Sequence, residues 1–305
     1  MKELSTITER PEIANAISNH AFSRIAEIAE REAGIVLAPS KVSMVTSRLT
    51  RRLRALKLSS FEEYLNILET SQDRAELDSF VSALTTNVSH FFRENHHFEY
   101  LATTMLPKFK QKLSKGGKVR IWSAGCSNGQ EPYSIAMTIL KGAPELTKED
   151  LKILATDIDP EVLSRAQSGQ YFGSLTTGLT NETITRFFTR SPLNGEDTLT
   201  IKPEVKKLVA FRQLNLHAPW PMHGKFDAIF CRNVVIYFDE QTQTRLFKRF
   251  ANILETGGWL MLGHSERLNE DVAPLFENSG VTTYQTLHPT SPSAPIGAYE
   301  SKGLV

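Results

Sequence analysis

Cysteine is scarce in this chain: two among 305 residues, Cys126 and Cys231. Two thiols make neither a disulfide framework nor the paired spacing of a zinc ribbon. No apolar run is long enough to span a bilayer, and "MKELSTITERPEI" lacks the apolar core of a signal peptide, so a reduced, cytoplasmic setting is the expectation. An excess of one charge is also missing, because 35 Lys and Arg against 34 Asp and Glu leave a net +1. That balance excludes a global attraction to nucleic acid or to an anionic membrane; steering must come from a local patch. A P-loop lysine, a G-x-G-x-x-G turn, an H-E-x-x-H pair and a Ser-His-Asp or Cys-His set are all absent, which argues against triphosphate hydrolysis, zinc peptidase chemistry and nucleophilic catalysis. What the chain does have is a globular composition, 40% hydrophobic, and length for one large or two ordinary domains. It carries no internal repeat.

The first third reads as helical. "AFSRIAEIAEREAG" sets Phe22, Ile25, Ile28 and Ala29 at helical spacing and stops at Gly34, a C-cap. A second helix starts at Pro39 and Ser40 with the stripe Val42, Val45, Leu49, Leu53 and Leu56. At 100° per residue, Lys41, Arg48, Arg51 and Arg52 share one flank of that stripe. "SFEEYLNILE", "DRAELDSFVSALTT" and "HHFEYLATTMLPKFKQKLS" continue the pattern, the last kinked or divided at Pro107. After Gly116-Gly117 the pattern changes to strands alternating with helices: "KVRIWSAG", "EPYSIAMTILKG", "LKILATDID", "PEVLSRAQSG", "FDAIFCRNVVIYF", "EQTQTRLFKRFANILE" and "GGWLMLGHSE". This alternation predicts a parallel α/β sheet. Between Tyr171 and Phe211 an Asn-Gly turn and two Thr/Val-rich runs predict a small antiparallel insert. The tail "HPTSPSAPIGAYESKGLV" is expected to be mobile.

Two features point to an adenosine-containing ligand. Gly125 and Gly129 allow close backbone approach at the carboxyl end of a strand, and Asp157 ends the next strand, where a carboxylate can accept both hydroxyls of a ribose. From these residues alone the ligand could be NAD or S-adenosylmethionine. An NAD-dependent dehydrogenase would need a tighter glycine turn and an acid about 20 residues on. Asp157 lies well beyond that distance from Gly125.

"SAGCSNGQEPYSIA", "ATDIDPEVLSRAQSGQY", "FDAIFCRNVVIYFD" and "GGWLMLGHSE", with "TNVSHFFRE" upstream, resemble in order the CheR-type chemoreceptor glutamate methyltransferases, over about residues 22–288. The resemblance implies an S-adenosylmethionine-dependent (Rossmann-like) methyltransferase domain with a small antiparallel β insert, preceded by an all-α domain. It implies methyl transfer to glutamate side chains of chemotaxis receptors, giving methyl esters and S-adenosylhomocysteine. The expected layout is a helical receptor-recognition domain over 1–85, a linking segment over 86–115, the catalytic domain over 116–288 with its insert at 170–210, and a tail over 289–305. Carried over by motif, Asn87, Ser89 and Arg93 face the cofactor; Ser89 stands where relatives often have Thr. Glu131 matches the acid before the proline, whereas Gln130 stands where relatives often have a second acid. Asp157 matches the ribose acid, Asn215 and Leu216 border the adenine, Arg232 and Asn233 adjoin the methionine portion, and Tyr237 lies near the reacting methyl. Arg93 and Tyr237 are the catalytic candidates. The flank Lys41, Arg48, Arg51 and Arg52 is expected to dock glutamate-rich methylation helices of the receptor, and the insert to be a receptor-tethering or docking subdomain, which in some relatives binds a receptor C-terminal peptide.

Several residues read as structural. Phe91 and Phe92 are expected to pack in the core, Cys126 and Cys231 to be buried thiols, and His90, His96 and His97 to bind no metal. Neither nucleic acid nor direct membrane insertion is expected. The competing functions are a receptor-binding adaptor without turnover and a methyltransferase for small molecules or nucleic acid. The intact set Arg93, Glu131, Asp157, Asn215 and Asn233 weighs against the first, and the near-neutral charge against the second.

Overall fold

A computed structural model describes residues 17–70, 74–85, 87–193 and 195–287. Among the described residues six helices, the last two continuous, lead into a sheet. α1 (Asn19–Ala33) is capped by the Ser18 hydroxyl at one end and by Gly34 at φ +70° at the other. A turn at Pro39–Lys41 precedes α2 (Val42–Leu56), followed by α3 (Phe61–Thr70) and α4 (Arg74–Leu84). Their inward faces form one cluster, including Ile25, Ile28, Val45, Leu49, Leu53, Tyr64 and Phe80, on which Ile158 and Tyr237 also pack.

α5 (His96–Tyr100) runs without a break through a π-helical segment, Leu101–Met105, into α6 (Leu106–Ser114). Pro107 therefore neither divides the helix nor ends it. Proline cannot donate to the carbonyl four residues back. The wider turn just before it, closed by the Leu106 N–H on Leu101 O, absorbs that loss.

Strand β1 (Val119–Ala124), helix α7 (Gln130–Gly142), β2 (Leu151–Asp157) and α8 (Pro160–Ser168) follow as the alternation requires. Then come β3 (Gln170–Tyr171), α9 (Asn181–Phe187), β4 (Phe188–Leu193), β5 (Glu196–Ile201), the short α10 (Pro203–Lys206) and β6 (Val209–Gln213). β7 (Phe226–Cys231), α11 (Glu240–Ile253), β8 (Leu254–Leu262), β9 (Phe276–Gly280) and β10 (Thr283–Thr286) complete the described chain.

The main sheet has the order β6-β2-β1-β7-β8-β10-β9. Its first five strands are parallel; β10 runs antiparallel to β8 and to β9, so the sheet is mixed. The chain moves outward from β1 to β6 on one side and returns as β7 on the other, leaving a topological switch point between β1 and β7. Both faces are covered: Ile121 and Phe230 join the core under α5, α6 and α7, whereas Trp122 and Ile229 join Phe247 and Phe250 of α11.

The insert is a three-stranded antiparallel sheet, β3-β5-β4, whose hairpin turns through Gly195 at φ +81°. Its Asn194 partner lies outside the described residues, as do the expected tail and residues 1–16. One Val-rich run assigned to the insert belongs elsewhere. Val209–Gln213 pairs parallel with β2 as the edge of the main sheet, and Phe211 is buried there. β3 takes its place in the insert. A strand's residue pattern records which face is buried, not which strand it joins. No described helix is long and apolar enough to cross a membrane.

Candidate functional site

The carboxyl ends of β1, β2 and β7 open into a cavity of ≈ 380 Å³, within the range of small-molecule sites. The loop after β1 forms its floor. Gly125 has φ +81°, and a Cβ there would sit 2.4 Å from Val234 Cγ2, so only glycine lets the two loops meet. Asp157 ends β2, buried, taking the Ser127 N–H on Oδ2 at 2.8 Å and the Asp159 N–H on Oδ1 at 3.1 Å. An ionised carboxylate has about four acceptor sites. Acceptor capacity remains for a vicinal diol. Burial pushes this carboxyl up to about 6 against the backbone N–H groups of Asp159, Ser127 and Ile158.

Asn87, Ser89 and Arg93 form the opposite wall. The Asn87 amide donates to Asp159 Oδ2 at 2.9 Å, while its carbonyl accepts from Ser127 Oγ at 3.1 Å, tying the segment to the floor. Asp159 also caps α8 through Oδ1, the role its position before Pro160 predicts. Phe91 is fully buried, edge-on to Tyr171 and Phe188, and Gly178 packs so tightly on its carbonyl that a Cβ would lie 2.0 Å from it. Phe92 is half-buried and meets Phe98 edge-on. Phe92 and Glu94 both have positive φ, 54° and 55°, so the chain doubles back on either side of Arg93. Arg93 itself is half-exposed. Its side chain makes one hydrogen bond among the described residues, from Nη1 to Val88 O at 3.2 Å.

The electrostatic centre is Arg232, whose side chain is 2% exposed between two carboxylates: Nη1 lies 3.1 Å from Glu131 Oε2 and Nη2 3.2 Å from Glu94 Oε2. It also donates to Arg93 O. Ser123 Oγ donates to the other Glu131 oxygen at 2.7 Å. Burial raises Glu131 despite the guanidinium. Burial opposes ionisation of Glu94 as well, but there Arg232 and His264 win and hold it at about 2. Sequence reasoning missed Glu94, although it adjoins Arg93 inside the quoted motif; its only local signal was a charge next to a charge.

Glu94, His96 and His97 bring potential ligand atoms within 4.8 Å of one another. The guanidinium already stands against Glu94, where a cation would have to bind. Burial and Arg232 also push His97 down to about 3, while its Nε2 lies 3.0 Å from Thr282 Oγ1. We assign the cluster no metal.

Asn215, Leu216, Asn233 and Tyr237 also line the cavity. Asn215 donates to Glu32 O of α1 at 2.7 Å and accepts the His217 N–H, so its amide joins the helical region to the sheet. Arg249 stacks on Trp220 at 3.7 Å and donates to Leu216 O and Ala218 O, fixing the same loop. Tyr237 lies on a single turn, Val235–Tyr237, whose last carbonyl accepts the Val36 N–H at 2.9 Å. Cys126 and Cys231 are buried free thiols.

The four cations of the expected docking flank do not share one fate. Arg48 turns inward to the carbonyls of Leu84 and Thr85, capping the end of α4, and Arg52 is ion-paired with Glu76, which also accepts from Tyr64. Lys41 and Arg51 are exposed. All ten residues expected at the cofactor or the reaction line the one cavity; of the expected docking residues, two are engaged internally.

Comparison with known proteins bears on the same regions. The family described as CheR methyltransferase, SAM binding domain, matches residues 87–285, and the CheR methyltransferase all-alpha domain matches residues 20–85. The chain is 46% identical to a probable chemotaxis protein methyltransferase of Rhizobium etli, over 83% of this chain and 95% of that one. It is 42% identical to the chemotaxis protein methyltransferase of Escherichia coli, over 88% and 91%. It is also 42% identical to chemotaxis protein methyltransferase 2 of Pseudomonas aeruginosa, over 86% and 91%.

Proposed function

The chain belongs to the CheR methyltransferase family, an S-adenosylmethionine-dependent one, and from that premise we propose that it methylates glutamate carboxylates on chemoreceptor cytoplasmic domains. The observation that carries this reading is the convergence of separate segments, around residues 87–93, 125–131, 157, 214–216 and 232–238, on a single cavity at the switch point.

The residues fit the cofactor. The Gly125 cradle admits no side chain, Asp157 has acceptor sites for a diol, and Asn87, Ser89 and Arg93 offer donors on the facing wall. When bound, S-adenosylmethionine supplies an electrophilic methyl group on a sulfonium. The protein's task is then placement. A glutamate acceptor, with a reference pKa of about 4.3, is ionised at neutral pH and needs no base. Arg93, held in position by the reversals at Phe92 and Glu94, orients the acceptor carboxylate through paired N–H groups. Tyr237 orients the acceptor oxygen from the other side, and the walls exclude water.

Lys41 and Arg51 steer the glutamate-rich helix in this reading, and the β3-β5-β4 insert engages a receptor C-terminal peptide. Binding unchanged by deletion of that peptide would remove the insert from recognition. The central test is incubation with tritiated S-adenosylmethionine and receptor cytoplasmic fragments. A carboxyl methyl ester releases its label in base; base-stable label would overturn the assignment.

A further inference from the structure

Glu266 is buried, 3% exposed, in the turn after β8, and none of the residues placed at the cavity explains why a carboxylate stands there. Its oxygens accept four backbone N–H groups: Gly263 at 2.6 Å and Asn233 at 2.8 Å on Oε2, Val234 at 2.8 Å and Val235 at 2.9 Å on Oε1. Among the described residues no cation is ion-paired with it. Three of the donors are consecutive residues of the loop after β7, so the backbone curls around the carboxylate. Asn233 adopts φ +60° to do so, in the left-handed region that asparagine enters more readily than most side-chain-bearing residues. The fit is close: a Cβ on Gly263 would lie 2.6 Å from Asn233 Nδ2 and 2.8 Å from Glu266 Oε2.

That loop carries Asn233, Val234, Ile236 and Tyr237 into the cavity. We propose that Glu266 is a positioning residue of the methyl-donor site: its carboxylate gathers the 233–235 backbone and thereby sets the wall against which the amino-acid end of the donor lies. The proposal rests on the cofactor placement given above. Only an ionised carboxylate supplies acceptors for all four N–H groups; a glutamine has one oxygen and would aim an NH2 group at two other donors. The adenosine end of the site, built on Asp157, Asn215 and Leu216, makes none of these bonds.

The test uses the full chain and two ligands, S-adenosylhomocysteine and 5′-methylthioadenosine, which lacks the amino-acid end. Calorimetry on Glu266→Gln should show S-adenosylhomocysteine bound at least ~10-fold more weakly, with 5′-methylthioadenosine within ~2-fold of wild type. Gly263→Ala, which pushes on the same contact from outside the carboxylate, should give the same split and carries the test if Glu266→Gln does not fold. Equal losses for both ligands, as a purely structural role would give, or no loss for either, would overturn the proposal. Failure of the wild-type chain to bind S-adenosylhomocysteine would instead overturn the cofactor placement on which it depends.

Discussion

Replacing Arg232 with methionine strands two buried carboxylates. In the wild type its guanidinium stands 3.1 Å from Glu131 and 3.2 Å from Glu94, both largely shielded from solvent. At an effective dielectric of ~20, each contact is worth about 5 kcal/mol of Coulomb attraction. The net loss is smaller, because the stranded acids can take up protons instead of remaining charged. Removing one side of a buried pair typically costs about 3–5 kcal/mol, and we expect Arg232→Met to fall there. Urea unfolding followed by tryptophan fluorescence gives the number, provided the denaturant slope is unchanged. Adding Glu94→Gln and Glu131→Gln removes the stranded charge and should restore most of the loss. The acid limb supplies a second readout. Glu94 is held at about 2, below its ordinary 4.5. Its contribution is therefore complete above 4.5 and is lost as the pH falls toward 2. Arg232→Met should flatten that part of the curve. A loss below ~1 kcal/mol, or no recovery in the triple variant, would refute the picture of one cation satisfying two acids.

Arg93→Ala should leave stability within ~0.5 kcal/mol, since it removes one exposed hydrogen bond, yet lower methyl transfer to a receptor fragment by roughly 100-fold; near-normal transfer would take Arg93 out of the site. In the proposed placement, ribose hydroxyls donate to the ionised form of Asp157, whose carboxyl is pushed up to about 6 by burial. S-adenosylhomocysteine affinity should then be level above that pH and fall about tenfold per unit below it, and Asp157→Asn should abolish the dependence. Gly125→Ala adds a strained φ and a contact at 2.4 Å with Val234; a lowered melting temperature, by about 1–3 kcal/mol in stability, and lost ligand binding are expected. Arg48→Ala should cost about 1–2 kcal/mol through the uncapped end of α4, whereas Lys41→Glu with Arg51→Glu should spare stability and slow receptor methylation at low salt.

Legibility divides along the range of the interactions. Helix limits with local chemical causes could be read directly: Gly34 caps α1 and Asp159 caps α8, where a positive φ and a short acceptor are needed. Partner choice could not, because the pattern of Val209–Gln213 fits any strand with a buried face, and its place beside β2 depends on where the chain returns. The parallel pattern likewise gave no sign that β9 and β10 reverse at the sheet's edge. The basic flank of α2 shows the same limit. Helical phase places Arg48 and Arg52 beside Lys41 and Arg51, but phase carries no information about α4, whose carbonyls and Glu76 draw the first two inward.

At the site, motif resemblance supplied the residues that face the cavity and passed over those that hold them. Glu94 and Glu266 both lie inside quoted motifs. What they bind, a guanidinium more than 130 residues away and backbone N–H groups 31–33 residues away, leaves no mark in their local pattern. A backbone donor has the same sequence signature whatever accepts it. Supporting carboxylates of this kind emerge only when the fold brings their partners together, and substitution at them tests the architecture of the site separately from its chemistry.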